Sequence, residues 1–319
     1  MATEPLYPEY LPVRPEGFTP TLDSPPFVAE EPGLRADPEL PELLSSKTIS
    51  KNVTPRVGTE IWGLQLSQLT PAGLDQVALL AAQRGVLVFR DQDFADIGPE
   101  RQLAIARHFN PLHKHPTMGY PKGTGPEFQV VYADEKAISA TLLGSRTTYD
   151  LWHIDQTFTP NTPGVTFSWV LEVPRIRWGR YSLHFVDSSV QCPLTGISRR
   201  PPPSEAFTHQ CQASSQGGCQ DRAPAGDINP VTKEPVLFVN PTIARQVVGF
   251  KPSESDFLLG FLHDHIRSLD FSCRISWEKG TVVVWDQRTV AHSAIPDFKE
   301  GERRHMVRII PYGSQPQPL

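Results

Sequence analysis

Trp152-His153-Ile154-Asp155-Gln156-Thr157-Phe158 carries the most informative spacing in the chain. On a strand, residues two apart point to the same face, so His153 and Asp155 are expected to aim at one point. An imidazole and a carboxylate suit a borderline divalent metal, but two ligands do not hold one. A third donor is offered by His292, 139 residues after His153 and just beyond the apolar run Val282–Trp285. In a jelly roll, strands distant in sequence face each other. Two histidines and one carboxylate are the ligand set of non-haem iron(II) oxygenases, which leaves coordination positions open for cosubstrate and oxygen. An H-x-D pair also arises by chance in chains of this length. The remaining histidines, among them His108, His113, His115, His263, His265 and His305, equally suit surface or helix positions.

The second chemical signal follows His292, in Gly301-Glu302-Arg303-Arg304-His305-Met306-Val307-Arg308. Arg304 and Arg308 share strand parity. A pair of inward guanidinium groups needs an anion, and their fork matches a carboxylate or related oxyanion. The alternative is a solvated basic strand edge.

The surrounding chain reads as short strands with a few helices. Thr70-Pro71 resembles a helix start and Gly85 a stop, giving a helix over 71–84. Val86–Phe89 fits a buried strand. Helices are expected over 99–109 and 253–267, and strands near 128–132, 165–170, 236–239, 271–277, 280–285 and 306–310. The pattern predicts an α+β protein with a double-stranded β-helix (jelly-roll) core and flanking helices.

Composition narrows the function classes. The 319 residues carry a net charge of −5, which gives no electrostatic reason to expect nucleic acid. Nowhere do 18 uncharged apolar residues run together, and the first residues lack a secretory pattern, so a cytoplasmic protein without a membrane span is expected. Four cysteines without a C-x-x-C pair indicate neither a zinc site nor a disulfide scaffold. Proline is in excess, 33 in all, but unevenly: ten fall within residues 1–41 and six between 174 and 225. Residues 1–45 therefore read as a disordered leader ahead of one domain over 46–319. Such an arm is compatible with a homodimer or homotetramer.

Taken together, the ordered motifs resemble the taurine dioxygenase family of iron(II)/2-oxoglutarate-dependent oxygenases, in particular its fungal sulfonate-dioxygenase-like branch. Thr54–Ile61 is similar to the family's opening strand, Arg84–Gln92 to its next, and Leu112-His113-Lys114-His115-Pro116 to its substrate-side loop. Trp152–Phe158 matches the first metal motif, and Phe238–Pro241 and Gly280–Asp286 match later segments. The resemblance implies Fe(2+) at His153, Asp155 and His292, with 2-oxoglutarate and O2 as cosubstrates and Arg304 on the distal carboxylate of 2-oxoglutarate. It also implies Arg308, His115 and Phe158 around a small anionic organic substrate. The implied reaction couples decarboxylation of 2-oxoglutarate to succinate and CO2 with hydroxylation of the carbon bearing a sulfonate, which then collapses to an aldehyde and sulfite. The same chemistry on an alkyl sulfate or aryloxyalkanoate stays open, as does a metal-binding relic that does not turn over.

The resemblance lapses over about 175–226. There the family shows Gly-Gly-Asp-Thr-Leu-Phe, whose threonine helps hold 2-oxoglutarate, and then Tyr-x-x-Leu-Ser-Pro. This chain instead has Trp178-Gly179-Arg180-Tyr181-Ser182-Leu183 and Val190-Gln191-Cys192-Pro193-Leu194-Thr195. Both stretches have codings that, read one base later, yield the family motif at the family's separation. A frameshift accounts for the segment, with a divergent loop insertion as the alternative. An intact transcript encoding these residues in one frame excludes the frameshift. On either reading, 175–226 is expected to be irregular, and three of the four cysteines lie in it.

Overall fold

The computed structural model describes residues 4–13, 27–115, 118–133, 152–157, 159, 161–172, 182–187, 207–210, 220–223, 226–294 and 303–315. Helices and sheets are mixed, as an α+β protein requires. Strands β1 (Ile49–Asn52), β2 (Thr59–Trp62), β3 (Val86–Phe89), β4 (Phe128–Ala133) and β5 (Val165–Glu172) belong to a seven-stranded sheet. Strands β6 (Ser182–Asp187), β7 (Ser272–Ser276) and β9 (Val290–Ala294) form a smaller one, and β8 (Val282–Asp286) and β10 (Arg304–Ile309) return to the large sheet. The large sheet runs β1-β2-β3-β8-β5-β10-β4 and the small one β7-β6-β9.

Helix α1 (Pro71–Arg84) forms where local chemistry dictates. The Thr70 hydroxyl accepts from Gly73 N at 3.2 Å, Pro71 occupies the first turn, and Gly85, at φ 71°, ends the helix. Because α1 bridges β2 and β3, those two strands are parallel. Helix α2 (Pro99–Arg107) follows β3, and helix α3 (Pro252–Ile266) precedes β7.

Both faces of the middle of the large sheet are covered, which is why β3 and the first four residues of β8 are continuous apolar runs, while the edge strand β1 is exposed. Leu87, Phe89, Phe167, Trp169, Val282, Val284, Val307 and Ile309 form one core with Val77 and Ala81 of α1 and Leu103 and Ala106 of α2. The alternate residues Val86, Val88, Val170, Val283, Trp285 and Met306 form a second core with Cys273 and Ile275 of the small sheet. A third cluster joins Trp152, Ile154 and Phe238 to Leu259, Leu262 and Ile266 of α3.

Two expectations are corrected. The leader is anchored at several of its described residues, though others such as Leu6 and Val28 are exposed. Tyr10 is buried and its hydroxyl donates to Gln102 Oε1 at 3.1 Å, and Leu40 and Leu43 are buried in the first core. Arg35 pairs with Asp75 of α1 at 2.9 Å, and Glu31 pairs with the buried Arg288. A few apolar and charged anchors hold the extended chain, although no periodic pattern announces them. Within 175–226, three strands stand where irregular chain was expected: β6, Phe207–Gln210 and Gln220–Ala223. Strand β6 is central in the small sheet, with His292 opposite Phe185 in the ladder. The short β-prone run Leu183-His184-Phe185-Val186 is enough for backbone pairing, and the loop-like composition of the whole segment conceals it.

Candidate metal centre

His153, Asp155 and His292 converge. Strand β9 brings His292 against His153 in an isolated antiparallel bridge, each N–H donating to the other's carbonyl at 2.9 Å. The rings lie with centroids 4.2 Å apart. Asp155 Oδ1 is 3.6 Å from His153 Nε2, and Asp155 Oδ2 is 3.7 Å from His292 Nε2. One donor atom from each residue falls within 4.8 Å of the others, a spacing one divalent ion can bridge. The expected strand over 153–155 is not what aims the pair. His153 sits on the single bridge, and Asp155 opens a turn in which Gln156 has φ 45°.

The protonation states suit a metal. Burial, and then the neighbouring His153, push the His292 imidazole down to about 3, so it is neutral at ordinary pH. Burial works to raise the Asp155 carboxyl, but Arg308, His292 and His153 override it and hold it well below the usual carboxylate range. Neutral imidazole and ionised carboxylate are the ligand forms that bind an ion.

Arg308 supplies the adjacent positive charge. Its Nη1 donates to Asp155 Oδ2 at 3.0 Å and its Nε to Gln129 Oε1 at 2.9 Å. With that oxygen engaged, Gln129 Nε2 faces His113 Nδ1 at 3.3 Å and donates to it. Burial, and then His115, push His113 down to about 3. His115 lies beside His113, ring centroids 6.1 Å apart, and its Nδ1 accepts from Met118 N at 3.1 Å. Arg304 is half-buried on the same face of β10 as Arg308, since Ala133 and Gln129 oppose the two in an unbroken register with β4. Phe158 lies outside the described residues.

Three residues were missed from sequence. Gln287 donates to Asp155 Oδ2 at 2.7 Å, Gln129 orients Arg308, and His113 backs Gln129. A usable signal exists for two of them, because Gln129 interrupts the apolar run Phe128–Val131 and Gln287 directly follows a strand of four apolar residues and an aspartate.

Residues 50–179 and 197–310 match the family described as Taurine catabolism dioxygenase TauD, TfdA family. The chain belongs to this family. The unmatched interval between the two is 180–196 alone, so the expected loss of resemblance over about 175–226 is corrected to that shorter stretch, with 197–226 inside the family match. An alpha-ketoglutarate-dependent dioxygenase of Penicillium expansum, cnsP, is 41% identical, with 98% of this chain and 88% of that protein covered. An alpha-ketoglutarate-dependent sulfonate dioxygenase of Saccharomyces cerevisiae is 35% identical over 97% of this chain and 78% of its own length. Among solved structures, a taurine dioxygenase from Burkholderia xenovorans superposes with a TM-score of 0.69 at 24% identity, covering 85% and 91% of the two chains, which shows the shared fold. The protein is thus a 2-oxoglutarate-dependent dioxygenase of the taurine dioxygenase family, with a His-Asp-His cluster able to hold a metal. Among the described residues, no helix is long and apolar enough to cross a membrane.

Proposed function

We propose that the protein is an iron(II)-dependent oxygenase that hydroxylates a small organosulfonate, releasing sulfite and an aldehyde, on a double-stranded β-helix core built by the two sheets. The observation that carries the reading is the convergence of His153, Asp155 and His292 with the Arg308 guanidinium 3.0 Å from the carboxylate. The 35% identity to a sulfonate dioxygenase supports the substrate class.

In this reading His153, Asp155 and His292 hold Fe(2+), which when bound supplies the redox chemistry for coupling oxygen to 2-oxoglutarate decarboxylation. The protein's own residues do the rest. Asp155 stays ionised and His292 neutral, so neither must shed a proton before the ion binds. Arg304 takes the distal carboxylate of 2-oxoglutarate through its fork. Arg308, oriented by Gln129, presents positive charge to the anionic end of the substrate, with His115 close by, and the family resemblance assigns Phe158 to the same substrate. Trp285 packs beside the buried His292, ring centroids 5.2 Å apart, while His153 stays partly exposed and leaves the cluster open on its side.

The test is succinate formation with Fe(2+), 2-oxoglutarate and oxygen across a panel of sulfonates, alkyl sulfates and aryloxyalkanoates, with sulfite measured alongside. Sulfonate-dependent sulfite release that disappears in His153→Ala is expected. Succinate formation with only a non-sulfonate substrate would replace the substrate class, and no oxygen-dependent succinate at all would sink the reading.

A further inference from the structure

The tight turn between β8 and β9 does more than reverse the chain. Gln287 is completely buried there, and its amide is used twice on one residue. Nε2 donates to Asp155 Oδ2 at 2.7 Å, while Oε1 accepts from Asp155 N at 3.2 Å. The second Nε2 hydrogen goes to Thr166 Oγ1 at 3.1 Å, and Gln287 N donates to Gly164 O at 3.0 Å. A side chain closed into such a ring cannot rotate without losing two hydrogen bonds together. Asp155 needs this support because it lies on a turn and not within a ladder.

The next residue of the turn is locked from the opposite side. Arg288 donates Nε and Nη2 to the two carboxylate oxygens of Asp286, both at 2.8 Å, and Nη1 to Glu31 Oε1 and Oε2 at 2.8 and 2.7 Å. Glu31 belongs to the leader, 257 positions away. Asp286 N is itself anchored on Gly85 O at 3.0 Å. The leader, the turn and Asp155 thus form one rigid sequence of contacts.

Its chemical consequence concerns the carboxylate. Gln287 and Arg308 both donate to Oδ2, which among the described residues leaves Oδ1, 3.6 Å from His153 Nε2, to face an ion. We propose that Gln287 is a positioning residue that presents Asp155 to the metal through one oxygen, and that Glu31 stiffens the turn carrying it through Arg288. The inference rests on the metal-centre reading above. Preorganising a ligand in this way typically contributes about 10–100-fold to metal affinity.

The experiment uses the full chain stripped of metal and titrated with Co2+, followed by its visible ligand-field absorption. Gln287→Ala is expected to weaken Co2+ binding roughly 10–100-fold and to change the band shape at saturation. Gln287→Glu keeps the acceptor for Asp155 N but sets a carboxylate against Oδ2, and should weaken binding at least as much. Being isosteric, it carries the test if the alanine variant does not fold. Glu31→Gln should weaken binding severalfold. Arg35→Ala, which breaks the leader's contact with Asp75 away from the turn, should stay within about twofold. Wild-type affinity and spectrum in both Gln287 variants would overturn the proposal, and equal losses in Glu31→Gln and Arg35→Ala would overturn the role of the leader. A wild-type chain that binds no Co2+ removes the metal centre itself.

Discussion

Acidification should destabilise the metal-free protein well above the range in which carboxylates titrate. His113 and His292 are both buried, and both are pushed down to about 3, by burial first and then by a neighbouring imidazole. In the unfolded chain each takes its proton near pH ~6.5. Unfolding therefore takes up protons throughout the interval between those values. Stability is complete above the unfolded value and is lost progressively as the pH falls toward the folded one. At pH ~5.5 the cost is about 1.4 kcal/mol per histidine, so a step down from pH ~7.5 removes about 3 kcal/mol for the pair. His305 and His263, lowered chiefly by burial, add in the same direction. Asp155 does not blur the window: its carboxyl is held below the usual range, so its stabilising contribution is lost only below pH ~4. Urea unfolding in the presence of a chelator, at several pH values between those limits, measures the loss. Replacing His113 with Asn should halve the part due to the pair. A stability that stays flat across the window, or the same slope in His113→Asn, would refute the reasoning.

Two further predictions concern the site and its frame. Arg304→Ala should raise the 2-oxoglutarate requirement roughly tenfold or more while Co2+ titrations stay unchanged, as expected for loss of a charge-assisted carboxylate contact remote from the ion; an unaltered 2-oxoglutarate dependence contradicts that role. Gly85→Ala forces a side chain into φ 71° and sets its Cβ 2.6 Å from Val290 Cγ1, at the start of the strand that carries His292. Thermal unfolding should report a loss of about 2–4 kcal/mol from strain and overpacking together. Gly98→Ala, at φ 80° with open space around it, should cost only about 1 kcal/mol. Equal losses at the two positions would show that the contact with Val290 is unimportant.

Much of the protein is legible in one dimension where the physics is local. Thr70, Pro71 and Gly85 bound α1 because capping and backbone geometry act within a few residues. The apolar runs Val86–Phe89, Val165–Val170 and Val282–Trp285 become strands of the large sheet because both faces of its middle are covered. The ligand types of the H-x-D pair and of His292 are equally readable, since metal preference follows from donor chemistry. Their aim was not: the strand expected to direct His153 and Asp155 is a single bridge followed by a turn.

Tertiary contact decided the remainder. Asp155 is held by an amide 132 positions away, His153 meets His292 through a bridge formed only when β9 is in place, and a leader whose composition reads as disordered seats Glu31 on Arg288. Periodicity and composition register what a residue does with its near neighbours. Hydrogen bonds and ion pairs closed across the whole chain leave no such trace, because their partners are chosen by the path of the backbone in space.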